Sequence, residues 1–346
     1  MLNPKFIISI LSFALSIVLC SCTNHDHPDK KIFRYNQAEG IASLDPAFAK
    51  NQSVMWAIHQ LYSTLVEVDE DMEIKPSLAK SWEFSNDKRS IVFHLRDDVF
   101  FHDDVAFTNG RGRKLNATDV VYSFNRIIDP GTASPGAWIF NRRIDSQLPF
   151  SAINDSTFMI KLVKPFQPLL GILSMQYCSI VAKEAVERYA ADFRRHPVGT
   201  GPFAFTAWEE GQALVLKKND HYFEKDSSGH PLPYLDGIKV NFYDSKATEF
   251  LEFQQQRLDF INDIDPSFKD EILTKTGHLK KEWEGKLGLE KHAYLNVEYL
   301  GILADTANEL VKTSPLRFKK IRQAINYGID RKKMILYLRN SLGTAA

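Results

Sequence analysis

One uncharged run, Phe6 to Leu19, lies between Lys5 and a pair of cysteines, Cys20 and Cys22, and it constrains everything after it. A positive residue, an apolar stretch of Ile, Leu, Phe, Val, Ala and Ser, and the small Ser21 before Cys22 form the pattern of an export signal. The run is short for a bilayer span, so an uncleaved anchor helix is the weaker alternative. No later segment is apolar for long enough to cross a membrane. The remainder must therefore fold in water. Cys178 is alone in the body of the chain, so no intrachain disulfide is expected if Cys20 leaves with the signal and Cys22 is acylated. Stability must come from the core, and 346 residues with 44% hydrophobic and 12% aromatic content suffice for one.

Leu19-Cys20-Ser21-Cys22 also resembles a bacterial lipobox, with leucine three before and a small residue one before the acylated cysteine. That resemblance implies a signal peptide at 1–21, a lipidated N-terminus at Cys22 and a polar tether over 22–30. The chain carries 43 Lys+Arg against 43 Asp+Glu. This balance provides no field to attract nucleic acid or an anionic bilayer, so attachment to a membrane is expected through the lipid anchor only. A partner must be chosen by a shaped site.

Short strands and helices interleave along the rest. Ile32 to Tyr35 reads as a strand, and Ile91, Phe93 and Leu95 share one face, a period of two repeated at Phe158, Ile160 and Leu162. Asn116 is a helix cap, with Asp119 at the third helical position and Val120, Val121, Phe124, Ile127 and Ile128 as the apolar stripe. A second helix is expected over Lys183 to Phe193, and a hairpin from Phe203–Trp208 and Ala213–Leu216. Further along come a strand at Ile238–Phe242, a helix from Lys246 and a helix face at Ile321, Ala324 and Ile325 closing at Gly328. The order follows no strict βαβ alternation, which predicts a multi-lobed α/β protein.

No arrangement of these residues makes a catalytic centre. Cys-x-x-Cys, His-Glu-x-x-His, Gly-x-Ser-x-Gly and Walker patterns are missing from the sequence. Gly199-Thr200-Gly201-Pro202-Phe203-Ala204 fits a dinucleotide pattern, yet Pro202 removes an amide that a phosphate needs and no helix follows. A tight turn is the expected reading. His102-Asp103-Asp104 offers metal-ligand or acid–base types, but adjacent residues in extended chain face alternate sides, so a hydrogen-bonded turn is expected. Arg111, Arg113 and Lys114 read as a solvated loop. Catalytic residues, cofactor and metal are all expected to be none.

Several segments in a fixed order then resemble the family 5 extracellular solute-binding proteins, the peptide- and nickel-binding lipoproteins of ABC importers. They are Ser43-Leu44-Asp45-Pro46, Pro76-Ser77-Leu78-Ala79-Lys80-Ser81-Trp82, Phe93-His94-Leu95-Arg96, Val99-Phe100-Phe101-His102-Asp103 and Ala117-Thr118-Asp119-Val120-Val121-Tyr122-Ser123-Phe124. Val198 to Phe203, Leu232 to Asp236 and Ile321 to Arg331 complete the series. The resemblance implies a two-lobed periplasmic-binding-protein-like α/β fold, class II with an extra inserted domain. It places the first lobe at 31–62 and 183–295, the insert at 63–182 and the start of the second lobe at 296–346. It further implies capture of oligopeptides by main-chain hydrogen bonds, delivery to ABC transporter permease subunits, and a place in the periplasmic space or on the outer face of the membrane.

By the same resemblance, Lys50, Asn51 and Gln52 follow the Leu-Asp-Pro turn where relatives pair with ligand backbone. Thr200 sits in the glycine turn near the cleft. Asn262 and Asp263 match a strand entering the cleft, and Asn296 and Tyr299 match the crossover between lobes. Met175 stands where a relative has a pocket histidine, and Trp138 follows Gly136, where some peptide binders carry a tyrosine. The family's motif order stops within the turn after Arg331, which implies a truncated second lobe and exposed apolar surface. Rivals are the same class binding nickel chelate, haem or oligosaccharide, an exported hydrolase using His102, Asp103 and Asp104, and a decayed fragment that binds nothing.

Overall fold

A computed structural model describes residues 30–274, 277–291, 297–339 and 343–345. The signal, Cys22 and Asn296 lie outside the described residues. The chain forms two compact units, Met1–Ile261 and Asn262–Ala346.

In the first unit, β1 (Ile32–Asn36), β2 (Val66–Val68), β3 (Ile74–Pro76), β4 (Ala79–Phe84), β5 (Ser90–Leu95), β6 (Phe150–Asn154), β7 (Thr157–Lys161), β8 (Phe203–Glu209), β9 (Ala213–Lys218) and β10 (Gly237–Asn241) form three sheets. The first sheet runs β1-β10-β9-β8, with β1 parallel to β10 and the other pairs antiparallel. The hairpin β8–β9 is the one expected from sequence. A register shift between Phe205 and Ala207 changes the alternation, so Trp208 lies opposite Leu214 and is buried.

The helix Gln52–Leu61 packs on this sheet at β8. Val54, Ala57, Ile58 and Leu61 are buried at helical spacing, and Asn51 Oδ1 accepts from the Val54 amide at 3.3 Å to cap the first turn. Directly after this helix the chain meets the Gly199–Gly201 turn. A Cβ on Gly199 would stand 2.2 Å from the Leu61 carbonyl oxygen, and one on Gly201 2.6 Å from that of Gln60. Close backbone approach is the reason for both glycines, not the left-handed conformation.

The second sheet, β4-β5-β7-β6, is antiparallel throughout. Ile91, Phe93, Leu95, Phe158 and Ile160 point to its buried face, against the helix Ala117–Ile128. Phe124 of that helix meets Phe140, Phe150 and Phe158 with ring centroids 5.4, 5.4 and 5.5 Å away. Each such pair contributes about 0.5–1.5 kcal/mol beyond area burial. Leu162 is also buried, but β7 ends at Lys161 and Leu162 instead bridges Ile144.

Asn116 and Asp119 form the expected capping box. Arg113 corrects the solvated-loop reading. Its guanidinium donates to both Asp119 oxygens at 2.8 and 2.6 Å and to both Glu184 oxygens at 2.6 and 2.9 Å. The hydrogen bonds that Asp119 accepts hold the Arg113 pKa above its ordinary value, and those that Arg113 donates hold the Glu184 carboxyl below its own. The helix expected over 183–193 also breaks. It is α-helical over Lys183–Tyr189 and continues as a 3-10 turn from Ala190, whose φ is +45°.

The second unit carries the helices Pro266–Ile272, Glu309–Lys312, Lys319–Gly328 and Arg331–Leu338. Gly328 is the last helical residue and is not left-handed, unlike the glycine cap expected there. The last two helices bury no described residue, and Ile321, Ile325, Tyr327, Leu336, Tyr337 and Leu338 are exposed.

Candidate ligand-binding surface

Asp45 builds one end of a cluster of turns on the first unit. Its Oδ1 accepts from the Ala47 amide at 3.0 Å, capping the 3-10 turn Pro46–Phe48 behind which Lys50, Asn51 and Gln52 emerge. The same carboxylate takes two hydrogen bonds from Arg126. Burial opposes the Arg126 charge, and the hydrogen bonds and charge of Asp45 outweigh it, holding its pKa above the ordinary value. The turn Pro135–Ile139 docks on the first one, with Ser134 Oγ donating to the Ala47 carbonyl at 2.6 Å. A third turn, Gln176–Cys178, packs on the first as well.

These turns bring together segments that carry five of the sequence-predicted contacts. Lys50, Asn51 and Gln52 are exposed at the start of their helix. Trp138 is 44% exposed on the second turn, and half-buried Met175 precedes the third and packs against the core. Asn51 already uses its side-chain oxygen as a helix cap, which leaves Lys50 and Gln52 the freer polar groups. Gly136 lies flush on Tyr177, where a Cβ would come within 2.6 Å of the ring. A larger residue there would displace Tyr177.

Thr200 lies elsewhere. It is 1% exposed in the turn under Leu61, and its Oγ1 has no hydrogen-bond partner among the described residues. Asn262, Asp263 and Tyr299 belong to the second unit. Phe260 makes a parallel bridge to Tyr35 within the first unit, but Asn262 and Asp263 sit in a bend, Asp263 with φ +68°, and Tyr299 is exposed.

His59 and Gln176 were not singled out from sequence, yet they meet at 3.4 Å on the exposed side of this surface. A signal existed, since Gln52 and His59 are seven apart and so share one helix face. Arg143, which holds the Trp138 turn, had none.

The residues proposed for a hydrolase are each engaged structurally. His102 is buried, with Nε2 2.9 Å from the Gly201 carbonyl, and burial lowers its pKa to about 4. Asp103 accepts from the Gly112 amide, and Asp104 from the Tyr189 hydroxyl and the Ala106 amide. All three side chains thus bind their own protein: His102 to Gly201, Asp103 to Gly112, and Asp104 to Ala106 and Tyr189. Burial likewise raises the Cys178 thiol pKa, keeping it a neutral, apolar core residue. What the exposed surface offers is hydrogen bonding, one ammonium group and an aromatic face, a set suited to binding.

A family profile, that of the bacterial extracellular solute-binding proteins, family 5 Middle, matches residues 73–346. The chain is 28% identical over 359 aligned residues to Heme-binding protein A of Haemophilus influenzae, covering 96% of this chain and 61% of that protein. It is also similar to the ABC transporter-associated periplasmic binding protein DppA of Helicobacter pylori in complex with peptide STSA. That likeness has 28% identity and a TM-score of 0.61, over 70% of this chain and 48% of the other. The dipeptide-binding protein of Pseudoalteromonas sp. SM9913 in complex with Met-Leu shares the fold at 21% identity and a TM-score of 0.72, over 88% and 58% of the two chains. The chain thus spans about half to three-fifths of the length of the proteins it matches. Its architecture is mixed α/β and matches part of the periplasmic-binding-protein fold of these two-lobed neighbours.

Proposed function

We propose that this chain, which belongs to the bacterial extracellular solute-binding proteins of family 5, captures oligopeptides for an ABC importer and carries out no catalysis. The single observation that carries the reading is the 28% identity, with a common fold, to a periplasmic binding protein in complex with a peptide. Lys50 and Gln52 at an exposed helix start, with Trp138 and Met175 on neighbouring turns, supply polar and apolar contacts. Asn262, Asp263, Asn296 and Tyr299 are further proposed contacts, on the resemblance to the family alone. Main-chain hydrogen bonds, common to every peptide, provide affinity in such a mode, and side-chain pockets tune it.

The protein is exported and anchored by lipid on Cys22, in the periplasmic space or on the outer membrane face, where it delivers ligand to permease subunits. The division into a first lobe at 31–62 and 183–295 with an insert at 63–182 is part of this reading. It is supported by β4, β5, β6 and β7, which form a sheet wholly within residues 79–161, while β1 pairs with the distant β10.

Haem is the second reading, favoured by the identity over 96% of this chain to a protein named for binding it. Titration calorimetry with Ser-Thr-Ser-Ala, Met-Leu and hemin separates the two. Heat from both peptides and none from hemin is expected. Heat from hemin with silence for both peptides would move the assignment to haem, and silence for all three would remove the binding reading.

A further inference from the structure

Trp138 is a large apolar side chain left 44% exposed, while Ile139 beside it is fully buried. The reason lies in Arg143. One guanidinium nitrogen, Nη1, donates to the carbonyls of both Trp138 and Ile139, the latter at 2.9 Å. The guanidinium carbon lies 5.9 Å from the Trp138 ring centroid and 4.7 Å from that of Phe166, which itself packs against the core. Arg143 is fixed through its backbone too, its amide donating to the Phe140 carbonyl at 3.0 Å and its carbonyl accepting from the Val163 amide at 2.8 Å. The far end of the turn is tied down by Ser134 on the Ala47 carbonyl. Arg143 thus holds the Trp138 backbone by a hydrogen bond and contacts the indole through its guanidinium, and a restrained aromatic group costs less to order on binding.

We propose that Arg143 is a positioning residue that presents the Trp138 indole as a preset aromatic face for an aromatic or bulky apolar group of the ligand. This rests on the peptide-binding reading above. It predicts selectivity: ligands carrying such a group are preferred by about two- to tenfold over those with methyl side chains, the range expected of one aromatic contact. Lysine cannot replace arginine here, since a single ammonium on a flexible stem stacks poorly between two rings.

The test uses the full chain with 5-fluorotryptophan at its five tryptophans, the Trp138 fluorine signal being assigned by Trp138→Phe. In Arg143→Lys that signal is expected to shift or broaden while the other four stay. Phenylalanyl-phenylalanine should move the Trp138 signal of the wild type and bind more tightly than alanyl-alanine, and Arg143→Lys should bring the two to within about twofold. Phe166→Leu, which keeps the hydrogen bonds and removes one ring, should also shift the signal, and it decides the matter if Arg143→Lys loses its dispersed spectrum. An unchanged Trp138 signal in a folded variant overturns the positioning role. Tight binding of phenylalanyl-phenylalanine without movement of that signal overturns the ligand face. If neither dipeptide gives heat with the wild type, the peptide reading fails and the ligand face with it, while the variant spectra still decide positioning.

Discussion

Asp45 and Arg126, 81 residues apart, face each other in a two-pronged ion pair of 2.7 and 2.5 Å. The pair joins the turn that leads into Lys50–Gln52 to the helix under the second sheet. Only 5% of the Asp45 side chain and 15% of that of Arg126 reach solvent. The Arg126 guanidinium also lies 5.4 Å from the Phe193 ring centroid. Removing one partner of such a pair strands a charge in the interior.

Arg126→Met is therefore expected to destabilise the first unit by about 3–5 kcal/mol. Asp45→Asn combined with Arg126→Met should cost less than Arg126→Met alone, because no lone buried charge remains. Urea unfolding of the three proteins checks this. Equal midpoints for Arg126→Met and the wild type would remove the pair from the supports of the fold.

His102 predicts an acid limit. Burial disfavours the charged ring and pushes its pKa down from the ordinary 6.5 to about 4. As pH falls below about 6.5 the unfolded chain takes up a proton that the folded chain does not accept until about 4. Stability should decline across that window and level off below it. Asp103 and Lys217 act on the ring with opposite sign. His102→Gln keeps a donor for the Gly201 carbonyl and should flatten the decline, which thermal melts between pH 4 and pH 7 would reveal.

Gly199→Ala should cost about 1–3 kcal/mol or more, since its methyl group would meet the Leu61 carbonyl and the Tyr62 ring. Gly288→Ala, with open space around it, is the control and should melt like the wild type.

Asn51 and Gln52 should separate although they are adjacent. Asn51→Ala removes a helix cap and should lower stability by about 1 kcal/mol. Gln52→Ala should leave melting unchanged and weaken all peptides together by about five- to a hundredfold, the range for one lost ligand hydrogen bond. Calorimetry showing equal affinities for Gln52→Ala and the wild type would exclude Gln52 from the ligand contacts.

Lipid attachment at Cys22 predicts that a fatty acid analogue labels the wild type in cells and does not label Cys22→Ala. Equal labelling of the two would end that assignment.

Local patterns were readable in the sequence because their physics is local. Asn116 and Asp119 are three apart and cap one another across a single turn, so their roles needed no tertiary information. The hairpin β8–β9 and the stripe Val120, Phe124 and Ile127 followed from periods of two and of 3.6. The family also came from sequence, through motifs spread along the chain.

Other features depended on which distant segments meet. Arg113 looked like a solvated loop charge because Glu184, 71 residues away, is invisible to spacing. Gly199 and Thr200 read as a tight turn near the cleft, but the segment that packs on it, the Leu61 backbone, is remote in sequence. The contacts of Arg143 with the Trp138 and Phe166 rings likewise join segments that spacing does not connect. A sequence specifies hydrogen bonds and stripes within a few residues, where chain geometry alone sets the distances. Burial and ion pairing between remote segments are set by packing, and packing exists only once the sheets and helices have been brought together.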